Sequence, residues 1–442
     1  MRRALALMAF VLAACPTEPE PPPVDPIVDP LSRPAEPTLS VDSFAPSTTC
    51  AECHPNHAAQ WAGSSHAYAM VDPVFRALVE VRRQDFDGAQ DTFCLQCHTA
   101  IGTRGGEIVP NFDWDALSPV VQEGVTCESC HKVSSLERTW NSGHVFDEGG
   151  PVRGGITDPE PAQHDSAFSE LHTESAFCGA CHDVFELDGM PLERPFEEWL
   201  ESPSAEVGQE CHDCHMPETT GPAATNGPER TLHDHRFVGI DLPLSDGFAS
   251  QEVIDDLRSG IEALLEDAAS MTLAAEPVSA GETANLVVTV TNQIDGHNLP
   301  TGSTFLRQMW LEVTVTDEDG AVVFQTGHLD ANGDLLDHWS TLQPYGDPNL
   351  VTYGSKLTAA DGKPELFPWR ANEHTSASIP PRHDRTSTLF VPTATASDLT
   401  VTARVLLRTH PPYLLRALGL DALIPKIPTW ELASASATIV VD

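Results

Sequence analysis

The spacing of hydrophobic and polar positions changes along the chain. From Met271 to Asp442 the period is two. Leu286, Val288 and Val290 alternate with Val287, Thr289 and Thr291, and Leu311, Val313 and Val315 alternate with Glu312, Thr314 and Thr316. Such alternation places the two sets on opposite faces of a strand. Asp317-Glu318-Asp319-Gly320 reads as a turn, Val322 to Gln325 returns the chain, and strand-like runs follow at 387–391, 399–407 and 433–441. The pattern predicts an antiparallel, immunoglobulin-like β-sandwich over 271–442, without the disulfide of antibody domains. Ahead of it Val253, Ile254, Leu257, Ile261, Leu264 and Leu265 fall at helical spacing behind Ser250, a suitable N-cap. An amphipathic connecting helix is therefore expected over 250–267. Between residues 48 and 240 no long amphipathic run stands out, and Gly and Pro punctuate the chain, so short helices and loops are expected. The fold class is α+β multidomain: a mostly helical and loop domain followed by the sandwich.

The first 47 residues belong to neither part. Arg2 and Arg3 precede a short apolar run from Ala4 to Leu12, too short to span a membrane permanently. The run ends in Leu12-Ala13-Ala14-Cys15, which resembles a bacterial lipoprotein signal over 1–15 with Cys15 as the lipidated residue; an ordinary cleaved signal is the alternative. Both imply export. Pro16 follows the cysteine instead of Asp, which points to the outer membrane, with the protein facing the periplasm or the cell surface. Residues 16–47 are rich in Pro with scattered acidic residues and read as an extended tether. Formal charge is −41, from 65 acidic against 24 basic residues. That field argues against nucleic-acid binding and favours basic partners.

Five short motifs carry the chemistry: Cys50-Ala51-Glu52-Cys53-His54, Cys94-Leu95-Gln96-Cys97-His98, Cys127-Glu128-Ser129-Cys130-His131, Cys178-Gly179-Ala180-Cys181-His182 and Cys211-His212-Asp213-Cys214-His215. Cys-x-x-Cys alone also suits half a zinc site or a redox pair. Here His follows every pair; with 19 His in 442 residues, chance would do this with a probability on the order of 10⁻⁷. Cys-x-x-Cys-His is a c-type haem attachment site: two thiols bond the porphyrin edge and the next His supplies an axial nitrogen. Five haem c groups are therefore expected. Ten of the 11 Cys are used, and Cys15 is the one left over. The porphyrins are expected to make up much of the core of the 48–240 domain.

Each iron needs a second axial ligand or keeps an open position, and that choice separates carrier from enzyme. The chain must travel round the porphyrin to reach the far face, so His57 is too close to His54 to serve the same iron. His66, His144, His172, His235 and His297 are the candidate distal ligands. His164, His212 and His233 rank below them. His328, His338, His374, His383 and His410 are expected on the surface of the sandwich.

Trp61-x-x-Ser64-x-His66 after the first motif, the Phe177-to-Asp183 block, Glu198-Trp199 ahead of Cys211-to-Pro217, and His235-Arg236-Phe237 resemble the multihaem cytochromes containing the cytochrome c-554/c-552 domain. The resemblance covers about 48–240 and implies bis-His haems in close pairs, as in tetrahaem electron carriers of nitrogen-cycling bacteria. Five motifs are one more than that pattern. Gly296-His297-x-x-Pro300-Thr301-Gly302 looks like part of the β domain of some larger exported multihaem cytochromes. Three readings follow. The first is an electron carrier in a respiratory or extracellular chain, working with redox partner proteins. The second is a reductase or oxidase acting on a small nitrogen or sulfur compound at one five-coordinate haem. The third is an oligomeric or filament-forming surface cytochrome. Of these the non-catalytic electron carrier is favoured over the enzyme, and no catalytic residue is assigned.

Overall fold

The computed structural model describes residues 37–161, 163–394 and 396–442. The segment read as a signal, Cys15 and most of the Pro-rich stretch lie outside the described residues. Among the described residues no helix is long and apolar enough to cross a membrane.

The C-terminal part has two facing antiparallel sheets. One runs in the order Asp384–Pro392, Thr283–Asn292, Ala269–Ala275. The other runs Val322–Thr326, Gln308–Thr316, Leu399–Arg408, Thr429–Ile439, with Val351–Tyr353 also paired to Gln308–Thr316. Leu286, Val288 and Val290 of one sheet share a buried core with Val313, Val315, Val401 and Val405 of the other. The period-two positions thus face inward. The alternation stops at Leu406-Leu407-Arg408, where all three are buried. Leu406 packs there with Trp310 and Leu335 on the outer face, beneath the Leu329–Leu350 loop.

The helix Gln251–Leu265 begins where expected, with the Ser250 side chain accepting from Val253 N. It buries Leu257, Ile261 and Leu265 against the sandwich core. Its Val253 side chain fills the space above Gly63, where a Cβ would collide with it. The helix therefore packs on both parts of the chain.

The N-terminal part consists of short helices and two-stranded ribbons, with one departure from expectation. Pro73–Phe86 forms a helix of 14 residues, capped by Asp72 through Val74 N and burying Val74, Phe75 and Val79. Asp72-Pro73 is an N-cap followed by Pro at the first helical position, a start signal legible in sequence. The apolar face was obscured because Arg82 occupies a buried position in it; Arg82 makes a two-pronged ion pair with Glu186, at 2.5 and 2.9 Å. An apolar cluster of Val41, Phe44, Met70, Phe75, Val79, Leu95 and Ile101 also exists here, so the domain has a conventional core beside its motifs. Val41 and Phe44 belong to it, so the folded part begins inside the stretch read as tether.

The two parts are joined by specific contacts. Glu198 accepts from Asn298 N at 3.1 Å and from Thr301 Oγ1. Arg307 pairs bidentately with Asp241 at 2.7 and 2.8 Å. Asp85 accepts from Trp369 and Arg370, and Val74, Leu244 and Leu415 form a small shared cluster.

Candidate haem-binding site

Each motif occupies a short helix or helix end: Ser47–Ala51, Thr92–His98, Cys127–His131, Ser175–His182 and Cys211–His215. One helical turn puts both cysteines of Cys-x-x-Cys on one face, with the following His beside the second. Local capping holds these helices in place. Thr126 and Ser129 cap each other reciprocally at the third, and Glu210 and Asp213 do so at the fifth. Gly179 allows the fourth to approach Phe196, whose ring would collide with a Cβ.

All ten motif cysteines and all five following histidines line one connected cavity of about 2700 Å³. Ordinary ligand pockets enclose about 300–1,000 Å³, so this space suits several large groups. The thiols of different motifs meet in pairs: Cys50 with Cys127, Cys97 with Cys181, and Cys178 with Cys211. Cys130 lies near Cys181 and Cys178. The motifs therefore follow the spatial order first, third, fourth, fifth, with the second set against the fourth.

Histidine tautomers sort the candidate ligands. A carbonyl can only accept, so a ring nitrogen bonded to one carries the proton, and the other nitrogen keeps its lone pair. Metal-binding His is typically oriented in this way. Nδ1 donates to Ala223 O from His54 at 2.6 Å, to Arg153 O from His131 at 2.5 Å, and to Val238 O from His215 at 2.7 Å. His98 does the same to Ala69 O at 3.4 Å. Nδ1 of His235 donates to His233 O at 2.8 Å, and Nδ1 of His297 to Asn298 O at 2.9 Å. In each of these Nε2 keeps its lone pair and is the nitrogen available to a metal.

Spacing agrees with the tautomers. Two imidazoles sharing one metal ion, at about 2 Å per metal–nitrogen bond, hold their ring centres about 6 Å apart once the rings' own size is added. His215 and His297 lie 6.2 Å apart, His131 and His235 6.3 Å, His66 and His182 6.2 Å, and His54 and His164 6.2 Å. Burial disfavours the charged form of three opposing rings: His66 and His297 are pushed down to about 4 and His235 to about 3. Cavity, thiols and imidazoles fit covalently held haem.

Comparison with known proteins agrees. The family described as cytochrome c554 and c-prime matches residues 49–132. The chain is similar in fold to a penta-heme cytochrome c552 from Thermochromatium tepidum, at 20% identity and a TM-score of 0.63, over 91% of this chain and 100% of that one. The fold of the chain is that of a multihaem c-type cytochrome. A CARDB domain from Pyrococcus furiosus aligns at 11% identity and a TM-score of 0.18, over 39% of this chain and 87% of that chain. The C-terminal domain of wzt aligns at 7% and 0.20, over 40% and 75%. Neither score carries weight. No curated protein matches.

The structure places the five candidate distal histidines differently from one another. His66, His235 and His297 face motif histidines as described. His172 also lies 6.0 Å from His131, but its Nε2 donates to Cys130 O at 3.0 Å and its Nδ1 meets Ser169 Oγ at 2.9 Å. His144 donates from Nε2 to Phe177 O at 2.8 Å and turns Nδ1 to Cys181 Sγ at 3.6 Å. Both therefore have the reverse tautomer and both nitrogens engaged. His164, ranked low from sequence, faces His54 instead. It is carried by the loop between Val152–Gly154 and Ser166–Phe168, which pair in parallel; nothing in its sequence context marks it. His57 packs edge-on to His235, and His212 to His233.

His98 differs from the other four. Its ring stacks on Phe75 at 3.8 Å, and among the described residues no His ring stands opposite it at the spacing of the other pairs. Glu193 lies close enough to influence Cys94, Cys97 and Arg307 together. Arg307 and His410 line the cavity too, and Arg307 Nε has no partner. His410, expected on the sandwich surface, faces inward because the antiparallel register pairs Gln308 with Arg408 and carries the residues before the one and after the other to the cavity. Burial pushes it down to about 4. Asp72, three residues before Phe75, is pushed up to about 6 by burial.

Proposed function

We propose that this protein is a multihaem c-type cytochrome that carries electrons through five haem c groups, one per motif, in an exported respiratory or extracellular chain. Four would be held between opposed histidines: His54 with His164, His131 with His235, His182 with His66, and His215 with His297. The observation that carries the reading is that all fifteen motif side chains line one cavity and four of their five histidines face a second ring at the spacing of a shared metal. Haem supplies one-electron chemistry. The protein supplies neutral, oriented imidazoles and near contact between motifs, giving a line from the first through the third and fourth to the fifth. His297 comes from the β part of the same chain, which favours an intrachain role for the immunoglobulin-like sandwich over a filament contact. Lipidation at Cys15 and an outer-membrane anchor complete the proposal. The test is spin counting on the oxidised holoprotein: at least four low-spin centres are expected, and a mostly high-spin protein would refute the pairing.

A second reading is favoured by His98, which has no opposing His while charged groups gather nearby. An open iron there would suit reduction of a small nitrogen or sulfur compound. Cyanide binding at one centre of the oxidised protein supports it, and failure to bind argues for the carrier alone.

A further inference from the structure

The fifth motif lies at one end of the spatial order, and Cys214 is the one exposed cysteine among those described. Two short helices, Pro195–Leu200 and Pro203–Val207, flank it. Trp199 Nε1 donates to Gln209 O at 2.8 Å, and Gln209 Nε2 reaches Cys214 Sγ at 3.8 Å, so this corner is tied to the motif. Leu200 is 55% exposed and Val207 80%. From Pro195 to Pro217 the chain has six acidic residues and no Lys or Arg. Arg194 and Arg382 at its edges are held in ion pairs with Glu197 and Asp295. With a formal charge of −41 an acidic surface alone would single out nothing. The combination does: solvated apolar side chains beside a motif at the end of the line, in a stretch with no Lys or Arg of its own.

We infer that this corner is the electron-exchange surface for a redox protein with a basic patch. The inference rests on the five-haem reading. The acidic rim draws a cationic partner and sets its approach, and Leu200 and Val207 give the encounter a dehydrated centre over the shortest route to the haem of Cys211 and Cys214. Steering of this kind raises association rates by about 10–10³ and fades with salt.

The test uses the holoprotein and a lysine-rich class I cytochrome c as probe, in stopped-flow electron exchange at low and high salt. Glu201→Lys with Glu206→Lys reverses two exposed charges that hold no hydrogen bond. The control, Glu318→Lys with Asp319→Lys, makes the same change in net charge at the turn after Gln308–Thr316. That strand rises about 3.3 Å per residue, which puts the turn about 30 Å from the cavity wall. At low salt the first variant is expected to react at least ten-fold more slowly than wild type, with a flattened salt dependence, and the control to stay within two-fold. No loss in the first variant, or equal loss in both, overturns the inference. Intact mass is read on every sample first. A mass short of five haem increments overturns the five-haem reading itself, a failure distinct from a kinetic null on a fully loaded protein.

Discussion

His297→Ala is the sharpest perturbation of the proposed ligand set, because it removes a ring without removing the loop that carries it. Glu198 accepts from Asn298 N at 3.1 Å and from Thr301, and Asn292 Nδ2 donates to His297 O at 3.0 Å. These backbone anchors do not involve the imidazole. The ring itself contributes its Nδ1 hydrogen bond to Asn298 O at 2.9 Å, its position 6.2 Å from His215 and its lone pair. Its loss should convert the haem of Cys211 and Cys214 alone, so one fifth of the iron should turn from low-spin to high-spin. Electron paramagnetic resonance with spin quantitation reads that fraction. Added imidazole, at a pH where it is mostly neutral, should re-enter the space and return the spectrum to low spin. An unchanged spectrum would refute His297 as a ligand. Conversion of two or more haems would show that the loop, and not the ring, had been holding the site.

Spacing and tautomer together make an opposite pair of expectations: His164→Ala, which removes the ring 6.2 Å from His54, should create one high-spin centre, while His144→Ala and His172→Ala should leave the spin count unchanged. Arg82→Leu leaves Glu186 buried without its partner; side-chain exposures are 3% and 6%, so about 3–5 kcal/mol of stability should be lost, measured by denaturant unfolding of the holoprotein. The surplus of negative charge stabilises ferric over ferrous iron, so spectroelectrochemical midpoints should lie below the hydrogen-electrode zero, and midpoints all well above it would contradict that.

What the sequence disclosed and what it hid have separate physical causes. The clustering of the Cys-x-x-Cys-His motifs around one cavity was legible because the motif is local: one helical turn fixes both thiols and the imidazole. The helix Gln251–Leu265 and the strands around Leu286 and Val313 were legible because each buries one face at its own period. The rings opposite the motif histidines were harder to read, since they are brought there by the fold and not by local spacing. His172 ranked above His164 in sequence, yet hydrogen bonding to Cys130 O engages His172, and the parallel pairing of Val152–Gly154 with Ser166–Phe168 brings His164 opposite His54. Pro73–Phe86 was missed because a buried Arg82 broke its apolar face, and the inward turn of His410 depended on strand register. Val41 and Phe44 looked like parts of a tether because their burial partners, such as Ile101, lie far along the chain.

Intact-protein mass spectrometry under denaturing conditions, on protein from a host able to mature such cytochromes, reads the covalent haem count directly. The expected result is the processed polypeptide plus five haem increments that survive denaturation. A smaller number of increments, or haem released on unfolding, would contradict the reading of all five motifs as attachment sites.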